Sequence, residues 1–411
     1  MILTNARILT FDGANRVLNH GSVEIASNGT IASVSTKKAD GVDLGGRLLM
    51  PALINCHSHL YGTLARGISL PGPAPRNFPQ ILKKLWWRLD RALTPEDVYY
   101  SALVGLIDSA KNGVGTVIDH HSSPSACTGS LDLIEKAFQD VGLRGATCYE
   151  TSDRNGRKST GEAIRENVRF IEARRTDSLV QAAFGLHAAF TLSDHTLQAC
   201  REACDSFHVH VAEDRCDRGA VRRLAKLGIL NERTIAAHCV HVTAAERKLL
   251  SSTGANVVHN PQSNCNNAVG AARLPELFHD KVLVGLGSDG YSPRLWDEFK
   301  TALHIQKDPK AVFAAAFLNN RTILKKIWGF DVGRIERGAN ADLLVLDYFP
   351  PTPIDSSNLL GHALFGLSNA PVDSLLVNGQ WVVLDKHCVS IDERQIAEKA
   401  AACARKLWER I

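Results

Sequence analysis

Two histidines separated by a single residue, His57 and His59, close an apolar run that begins at Leu48. In an extended strand, residues two apart face the same side, so both imidazoles can point into one cavity. Neutral imidazole is a good ligand for zinc. The spacing alone also occurs in ordinary strands, and the position at the end of an apolar run is what favours a metal site.

A second group combines histidine with an acid: His208 and His210 alternate along a run that ends at Glu213. Both histidines fall on one strand face, so spacing alone leaves either as a third nitrogen ligand. We favour His210, with His208 packed in the core or behind the ligands. Glu213 lies where the strand passes into a loop. Metal-assisted hydrolysis needs such a non-ligating carboxylate to move the proton of the attacking water.

Three further polar residues close apolar runs of their own: His187, His238 and Asp289. Asp289 can complete a metal site opposite the histidines. His238 can polarise a substrate or position the water, and His187 can bind the substrate. Each histidine taken alone is more often structural. The prediction depends on the set, because random placement of 16 histidines seldom puts a histidine or an acid at one strand end after another.

The stretch from Gly285 to Gly290 also satisfies GxGxxG, the glycine pattern of dinucleotide-binding proteins. That fingerprint opens a strand-helix-strand unit and is followed by an acidic residue about 20 positions later. Here the pattern comes late in the chain, and the acid inside it, Asp289, is better explained as a metal ligand. A dinucleotide-dependent oxidoreductase is therefore set aside.

The elements that must position these residues are short β-rich runs, each followed by a helix-like stretch. Most recur about every 20 to 35 residues, the length of one strand-loop-helix unit. Eight such units predict a (β/α)8 TIM barrel, whose active site is assembled at the carboxyl ends of the strands. The eight runs are Leu48–His57, Gly115–His121, Arg144–Ser152, Val180–His187, Phe207–Glu213, Thr234–His238, Ala255–Asn260 and Val282–Asp289.

The two ends of the chain differ from its middle, with alternating apolar residues and the hairpin signals Asn28-Gly29 and Asn378-Gly379. We predict that residues 1–49 and 336–411 pair into one composite β-sandwich domain, and that residues 50–335 form the catalytic barrel. An amphipathic helix is predicted over Glu393–Arg410. Residues 71–88 hold a Pro/Gly-rich stretch and two tryptophans, and are predicted to form a lid over the site.

Composition excludes several classes of protein. The 411 residues are 45% hydrophobic and 22% charged, as in globular proteins, and a net charge of +4 gives no reason to expect nucleic acid or a membrane as the partner. No apolar run approaches the roughly 20 residues needed to cross a bilayer, and the start does not resemble a signal peptide. The ten cysteines are scattered without a CxxC pair, which argues against a disulfide framework. We therefore expect a cytoplasmic protein.

Pro51–His59, His210–Glu213, Ala237–Cys239 and Gly287–Asp289, in this order, resemble the amidohydrolase superfamily, and look most like its cytosine/guanine deaminase and triazine hydrolase branch. Within that branch the chain is most similar to the SsnA-type aminohydrolases. The stretches that carry this narrower likeness are Leu85–Leu93, Val117–Pro124 and Asn264–Asn267. The resemblance covers nearly the whole chain, and is more specific for the superfamily than for a substrate.

The resemblance implies a distorted (β/α)8 barrel, a β-sandwich domain built from both termini, and one divalent metal. Zinc is the expected metal, with iron and manganese as alternatives. Relatives with two metals bridge them through a lysine at the end of the fourth strand, and Val180–Phe190 contains no lysine, so a single metal is predicted. The residues that match the family's metal ligands are His57, His59, His210 and Asp289.

The resemblance also implies roles around the metal. The glutamate that matches Glu213 shuttles protons, the histidine that matches His238 contacts the hydrolytic water or the oxyanion, and the histidine that matches His187 belongs to the substrate pocket. The chain departs from the family's pattern at Ala52, where glycine is usual. It also has a shorter loop after Glu213, which puts substrate contacts from that loop in doubt.

Together these observations predict a metal-dependent hydrolytic deaminase that releases ammonia from a small amino-substituted heterocycle resembling a purine, pyrimidine or pteridine. The alternative on the same scaffold is a hydrolase that cleaves a cyclic amide or amidine, or displaces chloride from a triazine. An inactive scaffold protein would have lost ligands, and all are present. A homodimer is expected, since relatives are often dimers. Besides His187, the predicted substrate contacts are Trp86, His120, Arg154 and Asn264.

Overall fold

The computed structural model describes the whole chain, Met1 to Ile411. The strands, β1 to β18 in chain order, are Ile2–Leu9, Val17–Ile25, Ile31–Ser35, Val42–Asp43, Leu48–Pro51, Leu53–Ser58, Val114–Asp119, Arg144–Thr147, Val180–Ala182, Phe184–Leu186, Phe207–Val211, Ile235–His238, Asn256–His259, Val284–Leu286, Leu343–Leu346, Val372–Val377, Gln380–Leu384 and His387–Cys388. The α-helices, α1 to α15, are Phe78–Ile81, Trp87–Ala92, Pro95–Lys111, Ser130–Val141, Arg157–Glu172, Asp194–Ala203, Ala220–Lys226, Ala244–Thr253, Pro261–Asn266, Leu274–His279, Leu295–Gln306, Pro309–Phe313, Asn320–Trp328, Leu359–Phe365 and Glu393–Arg410. Two π-helical stretches, Leu82–Trp86 and Ala314–Asn319, join α1 to α2 and α12 to α13.

The central strands form a distorted parallel barrel, which confirms the predicted fold class. The sheets β6-β7-β8-β9 and β10-β11-β12-β13-β14 together provide its wall. They meet within the fourth predicted run, which Ala183 divides: β9 pairs with β8, whereas β10 pairs with β11. The ring closes where Ser58, at the end of β6, forms a bridge with Asp289, just after β14. Each of the eight predicted runs therefore contains a strand of the barrel, and the fourth run contains two short strands, β9 and β10.

The first predicted run, Leu48–His57, differs from the expectation because it serves two sheets. Its first part, β5, pairs with β1 and β15 outside the barrel, and its second part, β6, pairs with β7 inside it. The switch falls at Ala52, whose backbone N–H donates to Asp342 at 2.9 Å, while the next N–H, of Leu53, donates to Gly113 at 2.9 Å. A continuous apolar run in the sequence shows no sign of this change of partner.

Strands from both ends of the chain form one mostly antiparallel sheet of nine strands, in the order β18-β17-β16-β15-β5-β1-β2-β3, with β4 paired to β1. The predicted hairpin at Asn378-Gly379 links β16 and β17, and both residues have positive φ, 50° and 73°, as a type I′ turn requires. One face of this sheet covers a separate cluster of 14 buried apolar residues. The exact domain limits stay a prediction.

The helices surround the barrel and bury apolar residues of its strands in a core cluster of 78 residues, and other strand residues belong to a separate cluster of 11. The C-terminal helix α15 has the bounds predicted for it and packs on α3, and the indole of Trp408 donates to Leu64 at 2.8 Å. No helix combines the length and the apolar character needed to span a membrane.

Candidate active site

The predicted ligands lie at the carboxyl ends of three barrel strands: β6 carries His57 and is followed by His59, β11 carries His210, and Asp289 follows β14. Backbone pairing brings Asp289 to the histidines, because its N–H donates to the carbonyl of His57 at 2.9 Å and its own carbonyl accepts from His59 at 3.3 Å. Asp289 has a φ of 56° and His238 a φ of 74°. Left-handed backbone at non-glycine residues costs free energy and clusters at functional sites.

The side chains converge on one point. Oδ1 of Asp289 lies 3.0 Å from Nε2 of His59 and 3.4 Å from Nε2 of His57. Nε2 of His59 lies 3.1 Å from Nε2 of His210. Nε2 of His57 is buried and has no hydrogen-bond partner. Burial lowers the pKa of His57 and of His210, which keeps their nitrogen lone pairs free.

This donor set fits a single divalent cation. Three imidazole nitrogens and one carboxylate oxygen form the mixed N/O set that suits zinc and similar metals. His57, His210, His238 and Asp289 offer ligand atoms within 4.8 Å of one another, and His59 forms a second such group with His120 and His210. Proximity alone therefore admits His238 as a further ligand. The predicted four residues are thus brought together, and the tautomer of His238 decides whether that ring accepts or donates.

A further ring of contacts holds the histidines. Nδ1 of His59 donates to the backbone carbonyl of His120 at 2.6 Å, which leaves Nε2 of His59 directed at the cluster. Nδ1 of His57 lies 2.8 Å from Nε2 of His208. Nδ1 of His208 in turn lies 3.8 Å from the thiol sulfur of Cys148. His208 therefore lies behind His57, two residues deeper along β11 than His210.

The short helix α9 and the residue that caps its end, Asn267, contact three reactive groups. The hydroxyl of Ser263 donates to Oδ2 of Asp289. Asn267 donates to Oε1 of Glu213 at 3.3 Å, and Asn264 contacts His238. Oε2 of Glu213 lies 3.5 Å from Nε2 of His238. Burial, with the charge of Asp289 added to it, raises the pKa of Glu213 well above its usual range, as suits a residue that carries a proton.

A narrow cavity of about 50 Å³ opens over the cluster. Three of the five predicted substrate contacts line it: His187, Trp86 and Arg154. Trp86 lies in the helical segment 78–92, whose apolar side chains cover the cavity as a lid would. The full lining is His59, Tyr61, Phe78, Leu82, Trp86, Trp87, Asp90, Glu150, Arg154, His187, Ala188, His210, Glu213, Asn267 and Asp289.

The other two predicted contacts, His120 and Asn264, do not line the cavity. Both are fully buried. His120 lies under the metal histidines, with Nε2 3.2 Å from the backbone carbonyls of Leu186 and His208. In this geometry the two residues position other side chains and have no direct path to a substrate.

Several residues of the site were not predicted individually, although Asp90 and Asn267 fall within the stretches that carry the narrower family likeness. Asp90 and Glu150 face the cavity beside Arg154, and Asn267 holds Glu213. Asp90 falls inside a helix, where an acid is ordinarily a solvated charge. Glu150 lies within the third predicted run, and its position near a strand end was the one available hint.

Comparisons with known proteins agree with this geometry. Residues 48–382 match the amidohydrolase family. A relative named 5'-deoxyadenosine deaminase, from Methanothermobacter thermautotrophicus, is 30% identical over 99% of this chain and 98% of its own length. A relative named 5-methylthioadenosine/S-adenosylhomocysteine deaminase, from Pelotomaculum thermopropionicum, is 27% identical over 100% of this chain and 99% of its own length.

Two solved structures share the fold. An adenosine deaminase from Xanthomonas campestris with bound zinc superposes with a TM-score of 0.86 at 22% identity, covering 99% of this chain and 98% of the other. Atrazine chlorohydrolase from Arthrobacter aurescens, complexed with zinc, gives a TM-score of 0.81 at 20% identity, covering 98% and 99%. With a match over most of its length, and with the barrel and the histidine and aspartate cluster described above, this chain belongs to the amidohydrolase family.

Proposed function

We propose that the protein is a metal-dependent hydrolytic deaminase that replaces the amino group of a small heterocycle with oxygen and releases ammonia. Within that class we propose a 6-aminopurine nucleoside as the substrate. The observation that carries the proposal is the convergence of His57, His59, His210 and Asp289 beside the buried carboxyl group of Glu213. Relatives of the same length named deaminases of adenine nucleosides support the choice of substrate.

The four converging side chains would bind the metal. A divalent cation held there would lower the pKa of a water molecule toward neutrality. Zinc is the proposed metal, because neutral imidazoles and one carboxylate are its usual ligands. A cytoplasmic location and a homodimer stay predictions.

Two residues of the chain then carry out the proton transfer and stabilise the charge that develops. Glu213 accepts a proton from the water and delivers it to the ring nitrogen next to the carbon under attack. His238 donates from Nε2 to the oxygen that adds to that carbon, where negative charge develops. Glu213 then takes the remaining proton of the added hydroxyl and passes it to the leaving nitrogen, and the carbon–nitrogen bond to the amino group breaks. Water and the amine thereby become a ring carbonyl and ammonia.

The lid side chains hold the ring in place. Trp86 contacts Tyr61 edge to face, with ring centres 5.9 Å apart, and its own ring centre lies 6.4 Å from that of His59. An indole this close to the metal ligands offers a flat apolar surface for a planar heterocycle. His187 also lines the cavity, with its ring centre 5.6 Å from that of His210 and 6.5 Å from that of Trp87.

The test is an ammonia-release assay with the zinc-loaded protein on aminopurine nucleosides, aminopyrimidines and pteridines. We expect turnover of at least one adenine nucleoside. Glu213→Gln should keep the metal and lose turnover by roughly two or more orders of magnitude. Glu202→Gln, an exposed acid on α6, is the control and should keep both. Near-normal turnover in Glu213→Gln, or release of chloride from a chloro-triazine without ammonia from any amine, would contradict the proposal.

A further inference from the structure

The short helix α9, Pro261–Asn266, begins without a cap from the residue in front of it. That residue, Asn260, makes no side-chain hydrogen bond to the first turn of the helix. Its amide nitrogen lies 3.4 Å from Nδ1 of His238 instead. A helix this short has little stability of its own, and the free N–H groups of its first turn need acceptors. The position of α9 therefore depends on contacts from other parts of the chain.

Glu298, on α11, provides an acceptor that the local sequence does not. Its Oε2 accepts from the backbone N–H of Gln262 at 3.0 Å, across 36 positions of the chain. Pro261, at the start of the helix, has no N–H to donate, so Gln262 carries the first N–H group of α9. Glu298 thus does for this helix what a local Ser, Thr, Asp or Asn side chain does for most helices.

The surroundings of Glu298 argue against a role in stability alone. The residue is 0% exposed, and its Oε1 has no hydrogen-bond partner. Burial, with the charge of Asp289 added to it, raises the pKa of Glu298 well above its usual range. A buried acid with an unpaired oxygen is unfavourable for folding. Such exceptions to the ordinary rules of protein interiors are found mostly at functional sites.

The helix that Glu298 caps holds one metal ligand and both of the groups to which we assign proton transfer and charge stabilisation. The contacts are those of Ser263 with Asp289, Asn264 with His238 and Asn267 with Glu213. The three contacting residues lie close together on one short element, so a shift of α9 moves all of them. Metal affinity, the tautomer of His238 and turnover should therefore change together when the cap is lost.

We propose that Glu298 is a positioning residue of the active site, which caps α9 from α11 and thereby holds that helix against Asp289, His238 and Glu213. Glu298 does not line the cavity, so it acts through α9 and not on the substrate. The expected effect on turnover rests on the proposed deaminase function, whereas the expected effects on metal affinity and on the His238 ring do not.

The experiment compares Glu298→Leu, which removes the acceptor, with Glu298→Gln, which keeps an oxygen acceptor on a side chain of the same size. In Glu298→Leu we expect kcat for ammonia release and zinc affinity each to fall about tenfold or more, while KM changes little, because supporting contacts of metal ligands and reacting groups are worth about that much. Nitrogen NMR of the zinc-loaded protein should show that the His238 ring, assigned by the signal lost in His238→Asn, departs from its parent tautomer. Glu298→Gln should restore all three properties toward those of the parent.

The matched control is Glu246→Leu. Glu246 is also a buried glutamate, 2% exposed, and its Oε2 accepts from the backbone N–H of Thr243 at 2.9 Å, at the start of α8. No residue of α8 lines the cavity. Loss of this cap should lower the melting temperature and leave kcat, zinc affinity and the His238 signal as in the parent.

The outcomes separate this proposal from the proposed function. Parent-like zinc affinity and an unchanged His238 signal in folded Glu298→Leu overturn it, as does a Glu298→Gln variant that is as impaired as Glu298→Leu. If Glu298→Leu does not fold, Glu298→Met takes its place, and a chain that folds with neither shows that Glu298 serves the whole fold, which also contradicts the proposal. If the parent releases no ammonia from any compound, the proposed function fails, and zinc titration and NMR still decide the role of Glu298.

Discussion

Nδ2 of Asn264 lies 2.9 Å from Nδ1 of His238. An amide nitrogen donates, so Nδ1 of the imidazole accepts and the ring proton stands on Nε2. Nε2 is the atom that faces Glu213 at 3.5 Å and Asp289 at 4.0 Å. In this tautomer His238 is a hydrogen-bond donor to the reacting oxygen, and it has no lone pair at Nε2 to offer a metal. Asn264 thus distinguishes His238 from the ligand histidines.

We therefore predict that Asn264→Leu lowers kcat by about tenfold or more while metal content and KM change little, because an untethered His238 donates less well to the developing oxyanion. Steady-state kinetics and metal analysis measure this. Cys265→Ser, an exposed neighbour on the same helix, is the control. Nitrogen NMR of the histidine rings should show the Nε2–H form of His238 in the parent protein. A ring protonated at Nδ1 there would refute the assignment.

Metal binding should stabilise the folded protein, since the ligands converge only in the folded chain. A cation at a hundred times its dissociation constant adds about 2.7 kcal/mol to the free energy of unfolding. We predict a higher melting temperature with zinc than with a chelator, and no such difference in Asp289→Asn. His279→Asn replaces a histidine that is 88% exposed, and should respond to zinc as the parent does. An unchanged zinc response in Asp289→Asn would remove Asp289 from the ligand set.

Strand geometry explains why the cluster was predictable. His57 and His59 share a face because strand side chains alternate, and parallel barrels assemble their sites at the carboxyl ends of the strands. The same rule does not separate His208 from His210, which also share a face. Their depth along β11 determines which of them joins the cluster, because only His210 reaches Nε2 of His59. That depth depends on the register of β11 against its neighbours.

The rest of the site depends on long-range side-chain contacts that no local pattern encodes. Asp90 and Arg154 are 64 positions apart, and their contact depends on how the segment 78–92 folds back over the barrel. Asn264 was expected to touch the substrate because it follows a strand end. The direction of α9 turns it toward His238, and that direction is set partly by Glu298, which accepts from the N–H of Gln262 at 3.0 Å.

Stability should depend on pH through Asp217, in the loop that follows Glu213. Burial raises the pKa of Asp217 to about 7, although it accepts hydrogen bonds from the N–H groups of Ala212 and Phe190. In the unfolded chain an aspartate titrates near 3.9. Between those values the folded state binds more protons than the unfolded state, so the free energy of unfolding falls as pH rises from about 4 to about 7.

Asp217→Asn should lower stability overall, because one N–H group loses its acceptor, but it should flatten this part of the pH profile. Denaturant unfolding at pH 5 and pH 8 measures the difference. Asp194→Asn, at a side chain that is 66% exposed, is the control and should keep the parent's slope. A slope in Asp217→Asn equal to that of the parent would show that another group causes the pH dependence.

Two glycines, Gly62 and Gly290, lie close to the indole of Trp86 and make room for it. A Cβ at Gly290 would lie 2.6 Å from Cη2 of Trp86, and a Cβ at Gly62 would lie 3.0 Å from its Cζ3. Because these contacts are too close, either alanine displaces the ring that we propose lies against the substrate. We predict that Gly290→Ala lowers kcat/KM by about tenfold or more, Gly62→Ala by less, and that both keep the metal. Gly13→Ala has no atom within 4 Å of the new Cβ and should behave as the parent. If both glycine variants keep the parent's kcat/KM while Trp86→Ala lowers it, the glycines do not set the position of the indole. If Trp86→Ala also keeps the parent's kcat/KM, Trp86 does not contact the substrate.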